Sequence, residues 1–117
     1  GVEISNAFYP KYQNWYEKRD YGKRPVVGDA YVHGKKLQEH LGFYPIQIEA
    51  LKALMKAVHK ATGIPLQTPL DRSGNTNTKV SKKASEGRFE GFMSHYHLTT
   101  KKIDCAGLDI KKLLEEL

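Results

Sequence analysis

Pro45-Ile46-Gln47-Ile48-Glu49-Ala50-Leu51-Lys52-Ala53-Leu54-Met55-Lys56-Ala57-Val58-His59-Lys60-Ala61-Thr62 is the most strongly patterned stretch of the chain. Leu51, Leu54, Met55, Val58 and Ala61 keep a spacing of 3.6 residues, which predicts an amphipathic helix from about Pro45 to Thr62. Pro45 suits the first helical turn, where its missing N–H costs nothing. Gly63 is a natural left-handed stop, and Pro65 follows it. A helix with one apolar stripe needs a surface to cover that stripe. A second stripe, Ile110, Leu113, Leu114 and Leu117, predicts a terminal helix near 109–116. Asp109 stands at its N-cap, and Leu108 and Leu113 occupy the two positions of a hydrophobic staple.

Outside these helices the pattern shifts towards strands. Val2 and Ile4 alternate with Glu3 and Ser5, which predicts a strand at the start of the chain. Gly91 to Leu98 reads as a second strand, with Phe92, Ser94, Tyr96 and Leu98 on one face and Met93, His95 and His97 on the other. Ile64-Pro65-Leu66 reads as a short third. Residues 26–44 carry three glycines and little periodicity, so they read as irregular, with a turn of helix at 35–40. Residues 67–90 form a long polar insertion, whose Lys79, Lys82, Lys83 and Arg88 face little competing acid. The expected fold class is therefore α/β, a mixed sheet flanked by helices.

The aromatic run from Phe8 to Tyr21 places Tyr9, Tyr12 and Tyr16 at helical spacing. These rings serve either as core or, with the neighbouring lysines, as a surface that stacks on sugar rings. His33, His40 and His59 read as surface or packing residues.

A chain of 117 residues is one domain. Its 39% hydrophobic and 27% charged residues exclude an intrinsically disordered chain. No apolar run approaches the ~20 residues that span a bilayer. The single cysteine, Cys105, excludes an internal disulfide and a paired CxxC metal knuckle. A net charge of +6 and a pI of about 9.4 favour an anionic partner: nucleic acid, anionic lipid or bacterial cell-wall polymer. The basic pairs are scattered and none forms a block of five, which is also how a solvated surface looks.

Chemistry concentrates in Ser94-His95-Tyr96-His97-Leu98-Thr99-Thr100-Lys101-Lys102-Ile103-Asp104-Cys105-Ala106-Gly107-Leu108-Asp109. Two imidazoles, a carboxylate and the only thiol lie close together in sequence, and zinc sites are built from such ligands. The spacing alone matches no general zinc motif. Each residue also has a plain structural reading: His95 as an interior histidine, Lys102 as a solvated lysine, Cys105 as an inert buried thiol.

This segment resembles the C-terminal half of the zinc-dependent N-acetylmuramoyl-L-alanine amidases, the family of phage endolysin amidases and peptidoglycan recognition proteins. Ser94-His95 resembles the family's strand-end histidine, Lys102-Ile103-Asp104 its Lys-x-Asp segment, and Ala106-Gly107-Leu108-Asp109 its closing turn. Gly1-Val2-Glu3-Ile4 is similar to the "GIEL" strand, and Phe43-Tyr44-Pro45-Ile46-Gln47-Ile48-Glu49-Ala50-Leu51 to the entry of the long helix. The matches cover residues 1–6, 43–66 and 91–117. They imply an amidase-like fold and hydrolysis of the amide between N-acetylmuramic acid and L-alanine in peptidoglycan. The activity would then lie at a bacterial cell wall or periplasm, or be phage-encoded. The resemblance implies Zn2+ as cofactor, His95 as one ligand, and either Asp104 or Cys105 as the last. It implies Glu3 as proton relay and Lys102 as the cation beside the oxyanion.

The family's first zinc histidine lies on strands before "GIEL". On this reading residues 1–117 are the C-terminal portion of one amidase domain, and an N-terminal fragment or another chain completes it. Two other classes remain open: a non-catalytic muropeptide-binding module and, with less support, a basic nucleic-acid-binding domain. No RNP, helix-turn-helix or zinc-finger signature supports the latter.

Overall fold

A computed structural model describes all 117 residues. The fold is mixed α/β, with four helices and two small antiparallel sheets. A 3-10 turn at Pro10–Tyr12 leads into α1, Gln13–Glu17. Four two-residue strands follow: β1 (Val26–Val27), β2 (Tyr31–Val32), β3 (Lys35–Lys36) and β4 (His40–Leu41). β1 pairs with β4, Val26 opposite Leu41, and β2 pairs with β3, Tyr31 opposite Lys36. Then come α2 (Pro45–Thr62), α3 (Lys82–Ser85), a 3-10 turn at His95–His97, and α4 (Ile110–Glu115).

Both long-range helices form as their patterns predict. Pro45 opens α2 and Gly63 closes it at φ 73°. Gln47 reaches back so that its side-chain oxygen accepts from the Tyr44 N–H at 3.0 Å, half of a capping box. The same amide exchanges two hydrogen bonds with Asn6, at 2.7 and 3.2 Å, tying the N-terminal segment to the start of the helix. Asp109 caps α4 by accepting from the Lys112 N–H. The two stripes meet: Met55 packs with Ile110 and Leu114, with Leu51, Phe92, Leu108 and Leu117 around them. Of the α2 stripe only Met55 is fully buried, and Leu54 is exposed. Each fully buried apolar side chain contributes about 1.5–3 kcal/mol, so this core is modest. The radius of gyration, 14.8 Å, exceeds the ~13 Å of a tightly packed chain of this length.

Several expectations need correction. Residues 1–5 form no strand, and Val2 and Glu3 are exposed. An alternating stretch becomes a strand only where a second extended segment offers a ladder, and no segment pairs with this one. Ile64–Leu66 is likewise not a strand.

Residues 91–98 are not a strand either. Residues His95–His97 wind into a 3-10 turn in which Tyr96 and His97 are both buried, and no segment pairs with the stretch. The cause is His97. Its Nδ1 accepts from the Ser94 N–H at 2.9 Å, closing a capping box around the 3-10 turn. Gly91 enters this segment at φ +145°, where a Cβ would stand 2.3 Å from the Gln67 carbonyl oxygen.

Residues 35–40 form β3 and the start of β4, not a helical turn. Their register comes from the two-residue turn His33-Gly34, at φ 55° and 77°, the doubly positive geometry of a hairpin turn. The insertion at 67–90 is ordered by an Asp71 turn, a Leu70–Thr76 bridge and α3. No helix is long and apolar enough to cross a membrane.

The N-terminal lobe is organised around Arg24, almost wholly buried and paired with no carboxylate. Its guanidinium donates to Ala7 O at 2.6 Å, Gly42 O at 2.9 Å and Leu41 O at 3.3 Å. It also lies over the Tyr16 ring, 4.5 Å from the centroid.

Two stability measurements test this account. Arg24→Ala leaves three carbonyls without donors, at about 1–3 kcal/mol each where buried. A loss of about 3 kcal/mol or more is expected in urea unfolding, and Arg24→Lys should recover only part of it. A change below 1 kcal/mol would refute the role. The second concerns His97, whose buried ring is pushed below the ordinary histidine pKa by desolvation, with the hydrogen bond to Asn77 O opposing. The unfolded chain then binds the proton first. Stability should fall as pH drops below about 6.5, and His97→Phe should flatten that part of the profile.

Candidate functional site

The site residues lie on a segment that folds back on itself. The Tyr96 N–H donates to Asp104 O at 3.2 Å, closing the loop from His97 to Asp104. From the other side, the His33 ring bonds through Nε2 to Lys102 O at 2.9 Å, and the His33 N–H donates to Thr78 O. The β2–β3 hairpin tip therefore braces the Lys102–Asp104 stretch. His33 was assigned only to surface or packing. The signal in the sequence was the His33-Gly34 dipeptide between two extended pairs, which the structure turns into a two-residue hairpin loop with both residues at positive φ.

The structure brings two predicted residues together. His95 Nδ1 and Asp104 Oδ2 stand 3.2 Å apart, both side chains exposed. Donors on neighbouring vertices of a tetrahedral zinc site, bound at about 2.1 Å, stand about 3.4 Å apart. The contact is a hydrogen bond between ring and carboxylate, and its length is also close to the spacing of two such vertices. No third His, Cys, Asp or Glu joins it. Catalytic zinc takes three protein donors and a water, so the residues present fit part of a zinc centre and leave it incomplete.

Cys105 is half-buried, and its thiol is held above its ordinary pKa, first by desolvation and then by the Asp104 charge. A thiol held protonated is the poorer donor. The geometry places the Asp104 carboxylate beside His95. Lys102 is exposed, two residues from Asp104, and only its carbonyl is engaged. Glu3 is exposed on the N-terminal segment, with no hydrogen bond or ion pair to the others.

His97 has a structural task. Its ring is fully buried, bonded at one nitrogen to the Ser94 N–H and at the other to Asn77 O at 2.6 Å. It positions the turn that carries His95 and has no nitrogen left for a metal. Behind the turn lies a cavity of about 330 Å³, walled by Tyr96, Val32, Thr76 and Leu108 among others. Tyr96 is buried there, and its phenol pKa is raised by desolvation.

Comparison of the chain with protein-family models, with curated proteins and with solved structures finds no match.

The state of Cys105 can be checked by alkylation. Iodoacetamide should modify it more slowly than free cysteine at pH 8, with the rate still rising above pH 9. Asp104→Asn should raise the rate modestly. Modification as fast as that of an unhindered thiol would contradict the assignment.

Proposed function

We propose that the chain forms part of an N-acetylmuramoyl-L-alanine amidase site, in which His95 and Asp104 supply two protein donors to Zn2+ and a third donor comes from outside these residues. The observation that carries this reading is the His95–Asp104 contact of 3.2 Å. It unites across nine positions His95 and one of the two residues, Asp104 or Cys105, that the amidase resemblance offers as the last ligand. Bound zinc would polarise the scissile carbonyl and lower the pKa of its water.

The chain's own side chains have distinct roles in this reading. His95 and Asp104 bind. Lys102, an exposed cation two residues from Asp104, stands beside the oxygen that gains charge as the amide is attacked. Glu3, on the segment that Asn6 tethers to α2, is the proton acceptor. Cys105 remains the alternative donor should Asp104 serve only to orient His95, as carboxylates do for zinc-bound imidazoles. An excess of cationic side chains suits a polymer that bears carboxylates.

The two-donor count also favours a second reading, a non-catalytic module that binds muropeptides without cleaving them.

Metal titration separates these readings. The intact chain should bind Co2+ weakly, with His95→Ala and Asp104→Asn each abolishing binding and Cys105→Ser leaving it unchanged. A sulfur-to-cobalt charge-transfer band would instead assign Cys105. Addition of the N-terminal half of an amidase domain should raise zinc affinity at least ~10-fold, as a third donor would, and release soluble fragments from cell walls. Undiminished binding in His95→Ala would overturn the zinc assignment. Restored zinc affinity without release would favour the binding module.

A further inference from the structure

We propose that the exposed aromatic surface of residues 9–21 binds an amino-sugar glycan strand, a site separate from the His95–Asp104 pair. The identity of the glycan, as the polysaccharide part of peptidoglycan, rests on the amidase reading. The surface itself does not.

The sequence sets this region apart. Residues 8–24 contain six aromatic side chains and no Leu, Ile, Val or Met. The fold uses little of this as core, since only Tyr16 is fully buried. Tyr9, Tyr12, Trp15 and Tyr21 are 50%, 43%, 49% and 62% exposed. Single exposed aromatics are ordinary, but four clustered ones mark a binding surface.

The rings are held in place. The Arg19 guanidinium stacks on Trp15, 3.5 Å from the ring centre, while its Nη1 donates to the Trp15 carbonyl at 2.6 Å. Tyr21 lies within 23° of parallel to Trp15. Lys11 sits over Tyr12 at 5.2 Å. Between Tyr12 and Trp15, over Ala7 and Tyr16, is an open, shallow apolar depression of about 290 Å³.

A pyranose offers an apolar C–H face to a ring and a rim of hydroxyl, acetamido and carboxylate oxygens. The depression supplies the rings, and Lys11 and Arg19 supply donors beside them. The local charge agrees: Lys11, Lys18, Arg19 and Lys23 outnumber Glu17 and Asp20. Protein contacts also favour Trp, Tyr and Arg, so a protein partner is told apart by the glycan titration below. Single-stranded nucleic acid also stacks on aromatic platforms with basic neighbours, and the test separates it.

Trp15 is the only tryptophan, so its fluorescence reports on the site directly. The intact chain is titrated with N-acetylglucosamine tetramer, which carries no peptide and no charge. A saturable change in emission is expected, unaffected by a chelator. Tyr12→Ala should weaken it about five- to tenfold, the size of one aromatic contact. Tyr12 is exposed, so an unchanged thermal midpoint will confirm that this variant folds. No change at millimolar tetramer, or equal affinity in Tyr12→Ala, overturns the proposal. So does a response to oligothymidylate alone that collapses with salt, which would make the patch a nucleic-acid surface. His95→Ala should leave glycan binding intact, so failure of the zinc site and failure of this surface are read separately.

Discussion

The N-terminal lobe depends on a buried charge that has no countercharge. Arg24 is nearly inaccessible, and its neutralising environment consists of carbonyl oxygens and the face of Tyr16. Withdrawing a guanidinium from water is costly unless its donors are engaged. Three of its nitrogens find carbonyls of two segments far apart in sequence, Ala7 and Leu41-Gly42. Gln13 bonds both the N–H and the carbonyl of Arg24, drawing α1 into the same cluster. The Tyr16 hydroxyl accepts from the Ala7 N–H. One side chain thereby joins the N-terminal segment, α1 and β4. A lysine, with one ammonium, would not reach all three carbonyls in the fork geometry of a guanidinium.

The same economy appears around the candidate site. The hydrophobic core is small, so polar side chains carry structural work that apolar packing does in larger domains. His97 satisfies Ser94 and Asn77, and Asp109 satisfies both Lys112 and the Thr76 hydroxyl. The His97 bond to Asn77 joins the turn that bears His95 to the 67–90 insertion, and the Asp109 bond to Thr76 joins the same insertion to the start of α4. The buried His97 and Ser94 fix the turn while His95 and Asp104 remain exposed. Binding groups should be accessible, and the groups that orient them should not.

The aromatic surface and the His95–Asp104 pair suggest a division of labour. In the proposed reading, rings held by cations take hold of a polymer through many weak contacts, while His95, Asp104 and Lys102 serve the cleavage of one bond. The Arg24 cluster supports the first through Tyr16. The His97 turn and the His33 hairpin support the second.

The sequence by itself determined the two helices, because each combines an apolar period with local end signals. Pro45, Gly63 and Asp109 act within one turn of their own backbone, and Ile110, Leu113 and Leu114 keep a stripe that any covering surface would bury. The amidase resemblance set His95 together with either Asp104 or Cys105, and the fold brings the Asp104 carboxylate to the His95 ring. Tertiary structure decided the rest. Val2 and Ile4 alternate like a strand, but a strand is a property of two segments, and no partner pairs with this one. His95, Tyr96 and His97 alternate as well, yet His97 found the Ser94 amide and wound the stretch into a turn. Arg24 looked like one more surface cation in a basic chain, and only the convergence of three distant carbonyls made it the centre of a lobe. Patterns that close within a few residues are legible because their hydrogen bonds are local. Roles that depend on a distant donor or acceptor appear only when the chain has folded back to supply it.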